Sequence, residues 1–176
     1  MQDTKRRVGE HRPGGRAARV RASVLDATNQ LLSTVGYERL SIEAVASRAG
    51  VHKTRVYRRW PTKAELVLDA TLHFAQEQIP IPDTGSLDGD LRALARDVVL
   101  NIGSPAGGRR SLSIAAAAAA SPELARSMHQ FWSTRLALAA PIVERAIDRE
   151  EIPAGTDPTL VIEAVVGPLW IRLLLT

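Results

Sequence analysis

Residues 41–60 read SIEAVASRAGVHKTRVYRRW, and this stretch decides the fold. Ser41 is suited to cap a helix, Gly50 supplies the positive φ that a tight turn requires, and Pro61 stops the second helix. The apolar spacing, with the small Ala46 where two helices cross, is typical of a helix-turn-helix. The second helix offers a polar and cationic face of the width that the DNA major groove accepts. Its members are His52, Lys53, Thr54, Arg55, Tyr57, Arg58 and Arg59.

Helical periodicity extends along the chain on both sides of this motif. Neither strand alternation nor an internal repeat is found, so the predicted fold class is all-α with about eight helices. Ser-Pro and Asp-Pro pairs are typical helix starts, whereas Pro- and Gly-rich stretches are typical loops. The predicted helices cover 16–36, 41–49, 51–60, 62–79, 87–102, 109–120, 121–149 and the segment from 157 onward, with loops that include 80–85, 103–108 and 152–156.

Charge divides the 176-residue chain into two parts of opposite sign. Residues 1–63 hold 14 lysines and arginines against 5 acids, whereas residues 64–176 hold 9 against 14. A positively charged N-terminal part joined to an acidic remainder is typical of a nucleic-acid-binding module connected to a part that does not bind nucleic acid. We therefore expect a flexible basic arm at 1–15, a three-helix DNA-binding domain at 16–63, and a separate helical bundle at 64–176.

Several other classes of protein are disfavoured. The chain has no cysteine, which excludes disulfides, thiolate metal sites and cysteine nucleophiles. His73 and His129 have no partner histidine four residues away, so neither a metal site nor a cofactor is expected. No catalytic triad order, phosphate-binding loop or paired carboxylates stand out, so the protein is not expected to be an enzyme. No secretory signal or membrane-spanning run is present, so we expect a cytoplasmic protein with no membrane partner.

The motif resembles a known family. Residues 41–67, from Ser41 to Val67, resemble the DNA-binding signature of the TetR family, with the Ala-Gly-Val turn, the Tyr-x-x-Trp-Pro ending and the following lysine together. Weaker similarity to the family's C-terminal regulatory domain occurs at 121–125, 149–153, 157–158 and 167–175. The resemblance implies a homodimer, double-stranded DNA with a palindromic operator as a partner, and a small-molecule effector. It also implies that the helical bundle at 64–176 is a ligand-binding, regulatory and dimerisation domain. Members of the family usually pair the helix that here reaches Thr176 with one more helix, so either the sequence is incomplete or the dimer uses this helix without that neighbour.

The resemblance also implies roles for individual residues of the motif. Ser41 and Lys63 match residues that grip phosphates, although Ser41 is equally a simple N-cap. Tyr57 matches an aromatic that packs on the sugar-phosphate backbone, and plain packing is its alternative. Arg55 is the best candidate for a bidentate contact with guanine. The predicted DNA-binding residues are Ser41, Arg48, His52, Lys53, Thr54, Arg55, Tyr57, Arg58 and Lys63, of which Thr54 stands where many members have a smaller residue and Arg58 is alternatively a solvated side chain.

In the regulatory domain, the final helix is apolar on most sides, which predicts packing on the domain with one face and on a partner chain with the other. Apolar residues at helical spacing predict an effector pocket, with ordinary core packing as the alternative. Arg135 either extends outward to solvent or faces an anionic ligand, and we favour the first. The predicted pocket residues are Phe74, Met128, Phe131, Trp132 and Trp170.

Two functions compatible with DNA binding remain at this point. The first is a dimeric regulator, a repressor released from a palindromic operator by a small-molecule ligand. The second is a sequence-nonspecific DNA binder whose body serves only for assembly, which the basic arm favours. The ordered polar face at 52–59 and the acidic body favour the first.

Overall fold

The computed structural model describes residues 15–175, with side chains up to Leu174. Within these residues the chain is all-α, as predicted, and forms nine helices joined by short loops. The predicted basic arm lies outside the described residues, apart from Gly15. The helices are α1 (Arg16–Thr34), α2 (Gly36–Arg39), α3 (Ile42–Arg48), α4 (Lys53–Arg59), α5 (Lys63–Gln78), α6 (Leu87–Gly103), α7 (Pro105–Ala120), α8 (Pro122–Asp148) and α9 (Pro158–Leu175).

Helices α1 to α4 form the head of the molecule. The Ser41 hydroxyl caps α3 by accepting a hydrogen bond from the Ala44 N–H at 3.1 Å. Gly50 has φ 66° in the turn between α3 and α4, as the sequence predicts, and the Val51 N–H closes the turn on the Ala46 carbonyl at 3.0 Å. Ala46 is 2% exposed, and its small side chain lets the helices cross closely. The local signals thus agree with the observed helix-turn-helix.

Two features of the fold differ from the sequence expectation. The chain makes an additional helical turn, α2, which begins at Gly36. The φ of 77° at Gly36 separates this turn from α1. The loop expected at 103–108 is wrong, because α7 already begins at Pro105. Its N-cap is Ser104, whose hydroxyl accepts a hydrogen bond from the Gly107 N–H at 3.0 Å, and Pro105 occupies the first turn.

Helices α5 to α9 form the body, and the head packs directly on it. One hydrophobic cluster joins α1, α3 and α4 to the first half of α5 and to Ile114 and Ala117 of α7. Asn29 of α1 reinforces this contact, because its amide donates a hydrogen bond to the Ala70 carbonyl of α5 at 2.9 Å. A second cluster joins the end of α5 to α6, α8 and α9 around Ile142 and Val143, both fully buried.

A buried carboxylate fixes the loop between α5 and α6 to α8. Asp90 is completely buried, and its Oδ1 accepts hydrogen bonds from the Thr84 N–H at 2.6 Å and hydroxyl at 2.8 Å. Arg145 of α8 lies 3.3 Å from the other carboxylate oxygen and donates to the Pro82 carbonyl at 2.6 Å. Burial raises the pKa of Asp90, but the hydrogen bonds from Thr84 and the charge of Arg145 outweigh it and lower the pKa below its ordinary value.

This arrangement predicts how stability depends on pH. Because folding lowers the pKa of Asp90, its contribution to the free energy of unfolding is present above the ordinary aspartate pKa of about 3.9 and is lost as the pH falls through the folded value. Asp90→Asn is expected to lower the free energy of unfolding at pH 7 by about 1–2 kcal/mol. The variant should also lose less stability on acidification, which urea titrations at pH 7 and pH 3.5 measure.

The control for this prediction is Asp88→Asn on the same helix. Asp88 forms an exposed ion pair with Arg92 at 2.8 Å, four residues along α6. Exposed pairs of this kind contribute little to stability, so this variant should unfold with nearly the wild-type urea midpoint. Equal losses in the two variants at pH 7 would contradict the role given to Asp90.

Candidate DNA-binding surface and effector cavity

The face of α4 that the sequence predicts for DNA contact is exposed. His52, Lys53, Thr54 and Arg55 are all exposed, as are Tyr57, Arg58 and Arg59, while Val56 between them is buried in the head. His52 also caps α4, because its Nδ1 accepts a hydrogen bond from the Thr54 N–H at 3.4 Å. His52 therefore stabilises the first turn of α4, the recognition helix of the motif, and the exposed side chains of this helix are accessible from solvent.

Tyr57 joins the two helices of the motif. Its hydroxyl donates a hydrogen bond to a carboxylate oxygen of Glu43 at 3.0 Å, and the ring remains 41% exposed. A hydrogen bond from the backbone N–H of Glu43 itself, followed by the one from Tyr57, lowers the pKa of the Glu43 carboxyl. The contact orients the ring on the outer face of α3 and α4, where the resemblance places an aromatic residue against the DNA backbone.

Arg48 and Lys63 have partners within the head. Arg48 Nε donates to the side-chain oxygen of Gln30 on α1 at 2.7 Å. The Lys63 ammonium donates to the Tyr37 carbonyl at 3.1 Å and lies 4.2 Å from the centre of the Tyr37 ring. These contacts fix both cations beside the motif, and an ammonium with three donors retains others for a phosphate.

Trp60, at the end of α4, belongs to the core of the head. It is 5% exposed, and its indole N–H donates to the Asp69 carboxylate of α5 at 2.9 Å. Arg21 of α1 pairs with the same carboxylate. The end of the recognition helix is thereby connected through Asp69 to both α1 and α5.

The body contains a cavity of about 460 Å³ between α5, α6, α7, α8 and α9. Its size lies within the roughly 300–1,000 Å³ of small-molecule sites, and its lining is mostly apolar. Trp132 packs edge to face against Phe131, with ring centres 5.2 Å apart, and against Trp170, at 5.0 Å. The structure brings all five predicted pocket residues to this cavity, namely Phe74, Met128, Phe131, Trp132 and Trp170.

Two arginines also line the cavity. Arg110 is 7% exposed, donates to the Asn101 side-chain oxygen at 2.9 Å and stacks on the Phe74 ring at 3.9 Å. Arg135 donates to the Ile79 carbonyl at 2.9 Å. The expectation that Arg135 extends outward is wrong, because this carbonyl at the end of α5 draws the side chain inward. Desolvation by burial lowers the pKa of both guanidinium groups.

Sequence reasoning did not find Arg110, because it follows Arg109 and the pair reads as an ordinary basic surface. It also overlooked a group of possible metal ligands formed by Asp26 of α1 with His73 and Glu77 of α5. The spacing of His73 and Glu77, four residues apart on one helix, was the available signal. Two of the three residues are exposed and the His73 imidazole already lies 3.4 Å from Glu77, so we assign no metal to this group.

An exposed cationic recognition helix on a helix-turn-helix head, packed on a helical body, defines the class of DNA-binding transcriptional regulators. Comparisons with known proteins agree with this class. Residues 24–70 match the family model described as bacterial regulatory proteins, tetR family, and residues 81–176 match the tetracyclin repressor-like C-terminal domain. The chain belongs to the TetR family of transcriptional regulators.

Individual relatives support the same assignment. The HTH-type transcriptional regulator AqdR of Rhodococcus erythropolis is 38% identical over 86% of this chain and 73% of its own length. The uncharacterized HTH-type transcriptional regulator YdeS of Bacillus subtilis is 28% identical over 88% of this chain and 78% of its own. Among solved structures, the TetR family transcription regulator SCO0332 superposes with a TM-score of 0.76 at 34% identity, covering 89% of this chain and 87% of that one.

None of the helices in the described part of the chain combines the length and the apolar character needed to cross a membrane.

Proposed function

We propose that this TetR-family regulator is a homodimeric repressor that binds a palindromic operator and is released from it by a small-molecule effector bound in the body cavity. The observation that carries the proposal is that the head and the cavity share helices. α5, α7 and the start of α8 all contribute to the hydrophobic cluster of the head, and all three helices line the cavity. A ligand that displaces any of them therefore acts on the head directly.

For DNA recognition we propose a division between positioning and specifying residues. Ser41 and Arg48 at the two ends of α3, Lys63 at the start of α5, and Tyr57 of α4 would hold phosphates. The exposed residues of α4 would enter the major groove, where Arg55 would contact guanine. The base-reading candidates are His52, Lys53, Thr54, Arg55 and Arg58.

For dimerisation we propose the outer side of α9. The inner side, with Ile162 and Val166, is buried in the body. On the outer side Leu160 is 65% exposed and Ile171 is 58% exposed. Leu174, which is 50% exposed, lies between this side and the cavity, which it also lines. An apolar stripe of this kind on a regulator of a palindromic site is best covered by the same stripe of a second copy, because a two-fold axis makes the contact self-complementary.

For effector release we propose a change in the separation of the two recognition helices. In the dimer they must reach successive major grooves about 34–36 Å apart, so a shift of a few ångströms weakens binding. The DNA-binding domain at 16–63 and the regulatory domain at 64–176 are the proposed units of this change, with 1–15 as a basic arm on DNA. We propose that the protein is located in the cytoplasm, the compartment that holds the operator.

The test is selection of bound sequences from a random duplex library at physiological salt, by the wild-type protein and by Arg55→Ala. We expect the wild type to enrich a palindrome. Arg55→Ala should lose about tenfold or more in affinity and relax its preference at one position of each half-site, because one good bidentate base contact carries about 1–3 kcal/mol of discrimination. Arg92→Ala removes an equally exposed arginine from α6 and should leave the enriched sequence unchanged.

The same experiment distinguishes the nonspecific alternative. A nonspecific binder would enrich no sequence, and its binding would be steeply salt-dependent in the wild type and in Arg55→Ala alike. An enriched site without two-fold symmetry would retain the regulator but contradict the homodimer.

A further inference from the structure

The cavity carries an unbalanced charge. Its lining includes Arg110 and Arg135, and no aspartate or glutamate contributes to it. Among the described residues, neither arginine forms an ion pair, and the hydrogen-bond acceptors they do have are neutral oxygens. A largely apolar chamber with two positive charges and no negative one is suited to receive an anion.

Arg110 is the clearer case of a buried cation without a negatively charged partner among the described residues. Removing a guanidinium from water costs free energy, which buried arginines usually recover by pairing with a carboxylate. Here the guanidinium has five N–H donors, and among the described residues its recorded polar contacts are one amide oxygen and one aromatic face. Those contacts hold the guanidinium plane beside the cavity without neutralising it.

We propose that the effector is an amphipathic organic acid whose carboxylate pairs with Arg110, assisted by Arg135, while its apolar body packs against the aromatic wall of the cavity. The inference rests on the proposed function, in which this cavity is the effector site. A carboxylate matches the planar fork of a guanidinium and supplies the charge that the lining lacks. A single carboxylate also suits the apolar lining better than a doubly charged phosphate, whose desolvation costs more.

The aromatic wall defines the other end of the ligand. Phe131, Trp132 and Trp170 stack edge to face in series. Ala115 and Ala118 of α7 line the same space with small side chains, which leave room for a ring system or a medium-length chain. Charge at one end and apolar surface at the other define the class of compound as aromatic or aliphatic monocarboxylic acids.

The test uses displacement of the neutral fluorescent dye N-phenyl-1-naphthylamine from the full-length protein, without DNA. Two pairs of probes are compared, and in each pair one member carries a carboxylate and the other is a neutral compound of similar size. The pairs are 1-naphthaleneacetate with 1-naphthaleneacetamide, and decanoate with 1-decanol. We expect at least one acid to compete about tenfold or more better than its neutral partner, as a charge-assisted bidentate contact implies. In Arg110→Met, which keeps most of the side-chain volume and removes the charge, that ratio should fall to within about threefold.

Controls separate a ligand contact from a structural role. Arg109→Met alters the exposed neighbour on the same helix and should keep the wild-type ratio. If Arg110→Met is unfolded by circular dichroism, Arg135→Met takes its place and is expected to lower the ratio at least threefold. The proposal is overturned if the neutral probes bind as well as the acids, if neither acid competes, or if the ratio survives in the folded variant.

The outcome is independent of operator binding. An acid that binds the cavity through Arg110 while the protein stays bound to its operator would support the assigned class of ligand and count against the proposed effector release. A neutral compound that occupies the cavity in preference to both acids and releases the DNA would refute this inference while keeping the proposed function.

Discussion

The Ile171→Asp variant is expected to be a monomer that binds the operator more than about a hundredfold more weakly than the wild-type protein. Ile171 is 58% exposed on the outer side of α9, so the new carboxylate does not disturb the core of one chain. In the proposed dimer, however, the two-fold axis places two such charges in one apolar contact, where their desolvation is costly. Loss of the second half-site then removes an avidity gain of about 10²–10⁴.

The measurements are the molar mass by sedimentation equilibrium and the affinity for the selected operator by fluorescence anisotropy. Leu112→Asp is the matched control, because Leu112 is an exposed leucine, at 40%, on α7, which packs mainly on α1, α2, α6 and α8. That variant should keep the wild-type mass and affinity. A dimeric Ile171→Asp protein with unchanged operator binding would remove α9 from the proposed interface.

The second large effect is expected for Gly107→Ala, which should lower the free energy of unfolding by at least about 3 kcal/mol. A methyl group at Gly107 would lie far inside the contact distance of the Asn101 carbonyl oxygen at the end of α6. Both atoms belong to helical backbone, so neither a rotamer change nor a small shift relieves the overlap. The start of α7 would have to separate from α6.

Chemical denaturation measures this effect, with Gly103→Ala as the control. Gly103 is in the last turn of α6 and has no atom within 4 Å of an added methyl group. Because alanine is the better helix former, Gly103→Ala should be neutral or stabilising by up to about 1 kcal/mol. Unfolding of Gly107→Ala at the wild-type denaturant midpoint would show that the two helices are not in this close contact.

The starts of α7 and α8 show which helix boundaries local sequence signals can predict. Ser121-Pro122 predicts the start of α8 correctly, and Ser104-Pro105 is the same signal for α7. The sequence analysis instead gave weight to Gly107 and Gly108 as helix breakers. Their role comes from the contact between helices. Gly107 approaches the Asn101 carbonyl of α6 more closely than a side chain would allow, and a side chain at Gly108 would be crowded by the Ile102 carbonyl. Local periodicity cannot predict such a contact, because the two residues belong to different helices.

The candidate sites divide in the same way. The exposure of the candidate DNA-binding face at 52–59 could be predicted because its residues lie on one short helix, where exposure follows from periodicity alone. Aromatic residues of the cavity could also be predicted as an apolar set. The inward position of Arg135 could not, since it depends on the Ile79 carbonyl, which is 56 residues away in the chain. Arg110 was missed for the same reason, because its surroundings come from α5 and α6.

The double membership of α7 restricts how effector specificity can evolve. Ile114 belongs to the hydrophobic cluster of the head and also lines the cavity, so a substitution there alters both parts at once. Val98, Leu136 and Val166 line the cavity from α6, α8 and α9 and lie outside that cluster. In the proposed function, substitutions at these three positions can therefore change the effector without altering the head cluster. Met128 of α8 is less free, because it lines the cavity and also packs against that cluster. Redesign of the protein as a biosensor should begin at Val98, Leu136 and Val166.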